Sequence, residues 1–123
     1  MSESKDYMTL PEEKGNIQIA EEVIAAISVG AVREVEGVSG IMSGGTVTDL
    51  ADRGKGARKS IRGVKIDMTG DALVLDLYLA VKYAYPIPEV AAHVQSAVAS
   101  SIEAMTGCPV EAVNVHVGGV SLT

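Results

Sequence analysis

Two stretches of strict alternation, residues 64–68 and 73–81, flank the dipeptide Gly70-Asp71, and no other feature limits the fold so firmly. In the first, Val64, Ile66 and Met68 alternate with Lys65, Asp67 and Thr69. In the second, Leu73, Leu75, Leu77, Leu79 and Val81 alternate with Val74, Asp76, Tyr78, Ala80 and Lys82. Side chains along a strand project to opposite faces with a period of two, so the pattern predicts strands with one aliphatic face. Gly followed by Asp favours a two-residue hairpin turn, which makes the pair antiparallel. A sheet with one apolar face needs a second layer to cover it.

Two amphipathic segments supply that layer. Val23, Ile24, Ile27, Ala31 and Val35 recur at helical spacing behind Glu21 and Glu22, whose charges suit the positive end of a helix. Gly37 stops this helix where a left-handed residue is commonly needed. Gly30 inside it costs about 1 kcal/mol relative to alanine, which predicts close approach of a neighbouring backbone. Pro86 and Pro88 open a second helix. There Val90, Val94, Val98, Ile102 and Met105 face one way, flanked by Ala91 and Ala97, while Glu89, His93, Ser96, Ser100 and Glu103 line the other side. Gly107 and Pro109 end it.

Further strands are expected at Ile17-Gln18-Ile19, at 38–42, and where Val113, Val115 and Val117 alternate with Asn114 and His116 before Gly118-Gly119. The order is strand, helix, strand, strand, helix, strand. The unit from Leu73 through the second helix to Val117 fits a right-handed parallel crossover. The predicted fold is α+β: two layers, a small mixed sheet with two helices on one face. The chain has 123 residues, enough for one domain with its own core. That domain is expected over 16–123, after a flexible polar tail over 1–15. With no Phe or Trp, valine, alanine, isoleucine and leucine must do the packing.

Charge is distributed unevenly. The run from 44 to 65 holds Arg53, Lys55, Arg58, Lys59, Arg62 and Lys65, six of the ten basic residues, but only two of the sixteen carboxylates. It is net +4 in a chain of net −6, so the remainder is −10. A cationic, glycine-punctuated loop at about 43–63 on an anionic body is a local device for meeting something negative. Anionic lipid, nucleic acid and an acidic protein all qualify, and so does a solvated loop that binds nothing. A phosphate-binding loop is excluded because Arg58-Lys59-Ser60 lacks the required glycine before the lysine.

Nothing else carries visible chemistry. His93 and His116 lack a second histidine or cysteine at ligand spacing, so no metal or other cofactor is expected. Asp76 and His116 can share a sheet face, but two groups without a third or a pocket make no active site. The lone Cys108, between Gly107 and Pro109, reads as a small apolar residue at a helix-to-strand junction, and its solitude suits a reducing compartment. Gly37-Val38-Ser39-Gly40 matches the GXXG loop of a nucleic-acid-binding module in form only; a helix cap followed by a turn explains it better. The N-terminal residues lack the apolar stretch of a secretory signal, and the most apolar segment, 72–81, is too short to span a bilayer and contains Asp76. The polar sheet face, with Tyr78, Asn114 and His116 at its centre, is the second candidate surface, because tyrosine is enriched at binding hot spots.

Several segments together resemble the bacterial alkaline shock protein family, also called the envelope stress response family. They are Ile19-Ala20-Glu21-Glu22-Val23-Ile24, Val35-Glu36-Gly37-Val38-Ser39-Gly40, Gly63-Val64-Lys65-Ile66, Ile87-Pro88-Glu89-Val90, Met105-Thr106-Gly107 and Val113-Asn114-Val115-His116-Val117. One departure is Tyr83-Ala84-Tyr85-Pro86, where the family often has Tyr-Gly. The resemblance implies a cytoplasmic, non-enzymatic protein of envelope stress. It would act through protein–protein contact, docking to a membrane-anchored partner or to further copies of itself. The alternative is a small nucleic-acid-binding module using the basic loop. The scarcity of aromatics for base stacking and the acidic body weigh against it.

Overall fold

The computed structural model describes residues 7–42, 63–68 and 70–122. The elements are β1 (Tyr7–Glu12), β2 (Gly15–Ala20), α1 (Glu21–Arg33), β3 (Val38–Ile41), β4 (Val64–Asp67), β5 (Leu73–Lys82), α2 (Ile87–Thr106) and β6 (Val110–Ser121). The chain is α+β, as its patterning predicts.

β5 is the organising strand. β6 runs parallel to it along its whole length, from Leu73↔Val110 to Lys82↔Ser121. With that side taken, the other side of β5 pairs antiparallel with both β3 and β4. These two lie end to end: Ile41 faces Leu79 and Val64 faces Leu77. The joint is at Tyr78, whose carbonyl accepts from Met42 N at 2.7 Å and whose N–H donates to Gly63 O at 3.3 Å. β3 and β4 therefore act as one edge strand, with Met42 and Gly63 meeting at one point on β5. The β4–β5 register centres Gly70-Asp71 in an antiparallel hairpin, as expected, but its last pair is Asp67↔Val74, so the connection is longer than the two-residue turn that the dipeptide suggested.

Leu73, Leu75, Leu77, Leu79 and Val81 are all buried, while the alternate residues of β5 are half-buried or exposed. Against this face lie Ile24, Ala25 and Val32 of α1 and Val90, Val94, Val98 and Ile102 of α2. The two helices also pack on each other. Each large aliphatic side chain removed from water contributes roughly 1.5–3 kcal/mol, which is how a core without Phe or Trp closes. Cys108 is buried at the α2–β6 junction, where its N–H donates to Thr106 Oγ1 at 3.0 Å.

Four expectations need correcting. Tyr7–Glu12, read as part of a polar tail, is a strand. Met8 faces Ile19 and Leu10 faces Ile17, while Gly15, at φ +137°, allows the reversal. β2 consequently pairs with β1 in a separate two-stranded ribbon and does not join the main sheet. Gly30 has no close neighbour, since a Cβ there would meet nothing within 4 Å. Two residues leave their apolar stripes: Met105, in the last turn of α2, is 70% exposed, and Val23, in the first turn of α1, is exposed as well.

Gly37, at φ +97°, follows α1 in the left-handed region. It is also tightly enclosed, because a Cβ would lie 2.8 Å from both Tyr85 Cδ2 and Val90 Cγ2. Gly107 closes α2 in the same conformation, at φ +78°.

Candidate interaction surface

The face of the sheet away from the helices is built by the polar half of the β5 alternation. Asp76 is in register with Lys65 on one side and Asn114 on the other; Tyr78 is in register with His116. The parallel pairing brings the Tyr78 and His116 rings into a stack, with centroids 4.6 Å apart and planes 12° from parallel. His116 Nε2 lies 2.9 Å from Asp76 Oδ1, a distance at which the ring N–H donates to the carboxylate. Lys65 Nζ is 5.8 Å from the Tyr78 ring centroid, within range of a cation–π contact. The His116 side chain is 46% exposed and that of Asp76 32%. Four side chains from three strands thus form one connected, solvent-facing cluster.

Beyond the cluster, the same face is padded by small residues. Met42 leaves β3 and reaches across Ala80 toward Gly118 and Gly119; a Cβ at Gly118 would lie 3.0 Å from its sulfur. The register of β6 shifts beside this point, between the Leu79 and Ala80 pairings. In sequence these glycines look like the trailing end of a strand. Their function in fitting Met42 is visible only after β5 and β3 are placed beside β6.

The structure brings together Lys65, Tyr78 and His116, with Asn114 exposed beside them. Arg53, Lys55, Arg58, Lys59 and Arg62 lie outside the described residues, so their expected role stays an expectation. Both ends of the segment that carries them, Met42 and Gly63, meet at Tyr78. A second feature was missed from sequence. Tyr85 Oη donates to Glu36 Oε2 at 3.3 Å, and the carboxylate's charge and hydrogen bond raise the phenol above its ordinary pKa of 10.0. Ala84, just before it, takes φ +78°, a conformation that glycine adopts more easily. This is the position where the related Tyr-Gly pattern carries glycine.

Among the described residues, no three His, Cys, Asp or Glu side chains come together as metal ligands would. No helix is long and apolar enough to cross a membrane among them.

Residues 9–122 match the model of the alkaline shock protein 23 family, which is described as having a cell envelope-related function. The chain belongs to that family. Its relatives include the uncharacterized protein YqhY of Bacillus subtilis, 35% identical over 86% of this chain and 77% of that protein. YloU of the same organism is 33% identical over 89% of this chain and 91% of its own. Among solved structures, a variant of the MamM CTD superposes with a TM-score of 0.53 over 83% of this chain and 96% of that one, at 16% identity. That likeness concerns the fold alone. Membership of the alkaline shock protein 23 family agrees with the resemblance drawn from the helix, strand and turn segments above.

Proposed function

We propose that this member of the family is a non-enzymatic interaction protein of the cell envelope, working through the outer face of its sheet. The observation that supports this most is the Lys65–Tyr78–His116–Asp76 cluster. It is an aromatic stack with a cation on one side and a carboxylate on the other, held at fixed spacing by a rigid three-strand platform. Tyrosine flanked by charges is a typical interface anchor, because it buries a large area at low entropy cost. The helix-side face offers nothing comparable, being filled by aliphatic side chains.

In this reading the chain stays on the cytoplasmic side of the envelope. It is held there by a membrane-anchored protein or by association with further copies, and the basic run 53–65 strengthens contact with anionic surfaces. The test is affinity capture after cross-linking, comparing the native chain with Tyr78→Ala/His116→Ala. A protein recovered with the former and lost with the latter supports the proposal. Equal recovery by both removes the outer face from it, and turnover of a small metabolite by the purified chain removes the non-enzymatic reading.

A further inference from the structure

β3 is bonded to β5 on one side only; among the described residues no strand pairs with its other edge. That free edge runs along α1, and the two enclose a groove of about 520 Å³. One wall is the backbone of Val38–Ile41, with Ser39 exposed. The other is helical: half-buried Val29, over the buried Val32, makes it apolar, and Arg33, the last residue of α1, stands at its end. Among the described residues Arg33 has no hydrogen-bond or ion-pair partner, and no other lining residue is charged. A free strand edge beside an apolar helix wall is the architecture that accepts an added strand. Main-chain bonds supply affinity, and the pockets between strand and helix read alternate side chains.

We infer that this groove binds a short extended peptide of a partner protein, with aliphatic side chains at alternate positions and a carboxylate facing Arg33. The inference deepens the interaction reading and rests on it for the existence of a protein partner, but uses a different surface. Three properties of the groove select this occupant. β3 has only four residues, so the added strand is short and cannot hold on main-chain bonds alone. Val29 and Ile41, both half-buried, are suited to aliphatic side chains in the groove. Arg33 is the one charged residue among the described lining residues, so at its end the groove favours a carboxylate over a cation. The register shift between Val38 and Gly40 sets Ser39 apart in the strand, which limits the edge to one short partner rather than a growing sheet.

The experiment is fluorescence anisotropy of the full chain with a labelled peptide of about six residues, alternating valine and threonine and ending in aspartate. Saturable binding below about 1 mM is expected. Arg33→Glu should weaken it at least about tenfold, and so should N-methylation of alternate peptide amides or replacement of the aspartate by lysine. Circular dichroism of the Arg33→Glu variant, altered only at an exposed helix end, controls for folding. Tyr78→Ala/His116→Ala should leave peptide binding unchanged, so failure of the outer-face proposal and failure of this one are read separately. Absence of binding, or equal binding by Arg33→Glu or by the N-methylated peptide, overturns the inference. So does hydrogen-exchange protection, in the free chain, of the β3 edge amides beyond Val38, whose N–H already donates to Val35 O at 3.4 Å, because it assigns the groove to another occupant.

Discussion

Gly37 and Gly30 show how much one missing Cβ can decide. At Gly37 the left-handed backbone and the contacts with Tyr85 and Val90 both exclude a side chain. Gly37→Ala should cost about 2 kcal/mol, from roughly 1–2 kcal/mol of backbone strain plus the displaced neighbours, measured by urea unfolding. At Gly30 the helix geometry is ordinary and the space is open. Gly30→Ala should therefore raise stability by about 1 kcal/mol in the same assay. Both glycines are equally conspicuous in the sequence, but only the placement of α2 and the 83–86 turn separates them. Tyr85 is a second case. Its hydroxyl is held neutral by Glu36, so its raised pKa contributes stability that is present below the ordinary phenol value. That contribution is lost as pH climbs through the folded-state value. Glu36→Gln should return the tyrosinate absorbance transition of Tyr85 toward the ordinary phenol range and remove this alkaline component of unfolding.

The β3–β4 edge explains how a strongly cationic segment can be carried by a small anionic domain. Because Met42 and Gly63 converge on Tyr78, residues 43–62 can be removed with Gly63 remaining as a one-residue bulge between two aligned strands. The excised chain should keep its circular dichroism spectrum. It should gain up to about 2–3 kcal/mol from the loop-closure entropy no longer lost on folding, read by thermal and urea unfolding. Its net charge falls from −6 to −9, so any binding to anionic surfaces that depends on the loop should disappear.

Period-two alternation made β4, β5 and the centre of β6 legible from sequence, and apolar spacing with glycine stops did the same for both helices. β1 was not legible, because within Tyr7–Glu12 only Met8 and Leu10 carry an apolar alternation, Pro11 cannot donate to a ladder, and its partner β2 is itself mostly exposed. The end-to-end placement of β3 and β4 was likewise hidden, since pairing across a 20-residue insertion leaves no local pattern. Within the candidate surface, alternation put Tyr78, Asp76 and Lys65 on one face. The stack with His116 depended on the parallel register of a strand nearly forty residues away.

On the proposed function, the molecule as a whole divides its labour by face. One side of the sheet is an aliphatic seam sealed by two helices; the other presents aromatic and charged groups around the root of a basic segment. Stability and recognition are then separable. Leu77→Ala, at the centre of the buried face, should cost about 2–5 kcal/mol in urea unfolding. Tyr78→Ala/His116→Ala, one residue away on the opposite face, should cost only about 0.5–1.5 kcal/mol, the worth of an exposed aromatic pair. The family's cell envelope-related function is compatible with such a platform. The most direct measurement is quantitative cross-linking capture from cells of the native chain against Tyr78→Ala/His116→Ala, at equal folded concentration. At least one envelope protein, or the chain itself, should be enriched with the native form and lost with the variant. Capture profiles that do not differ between the two would contradict the account.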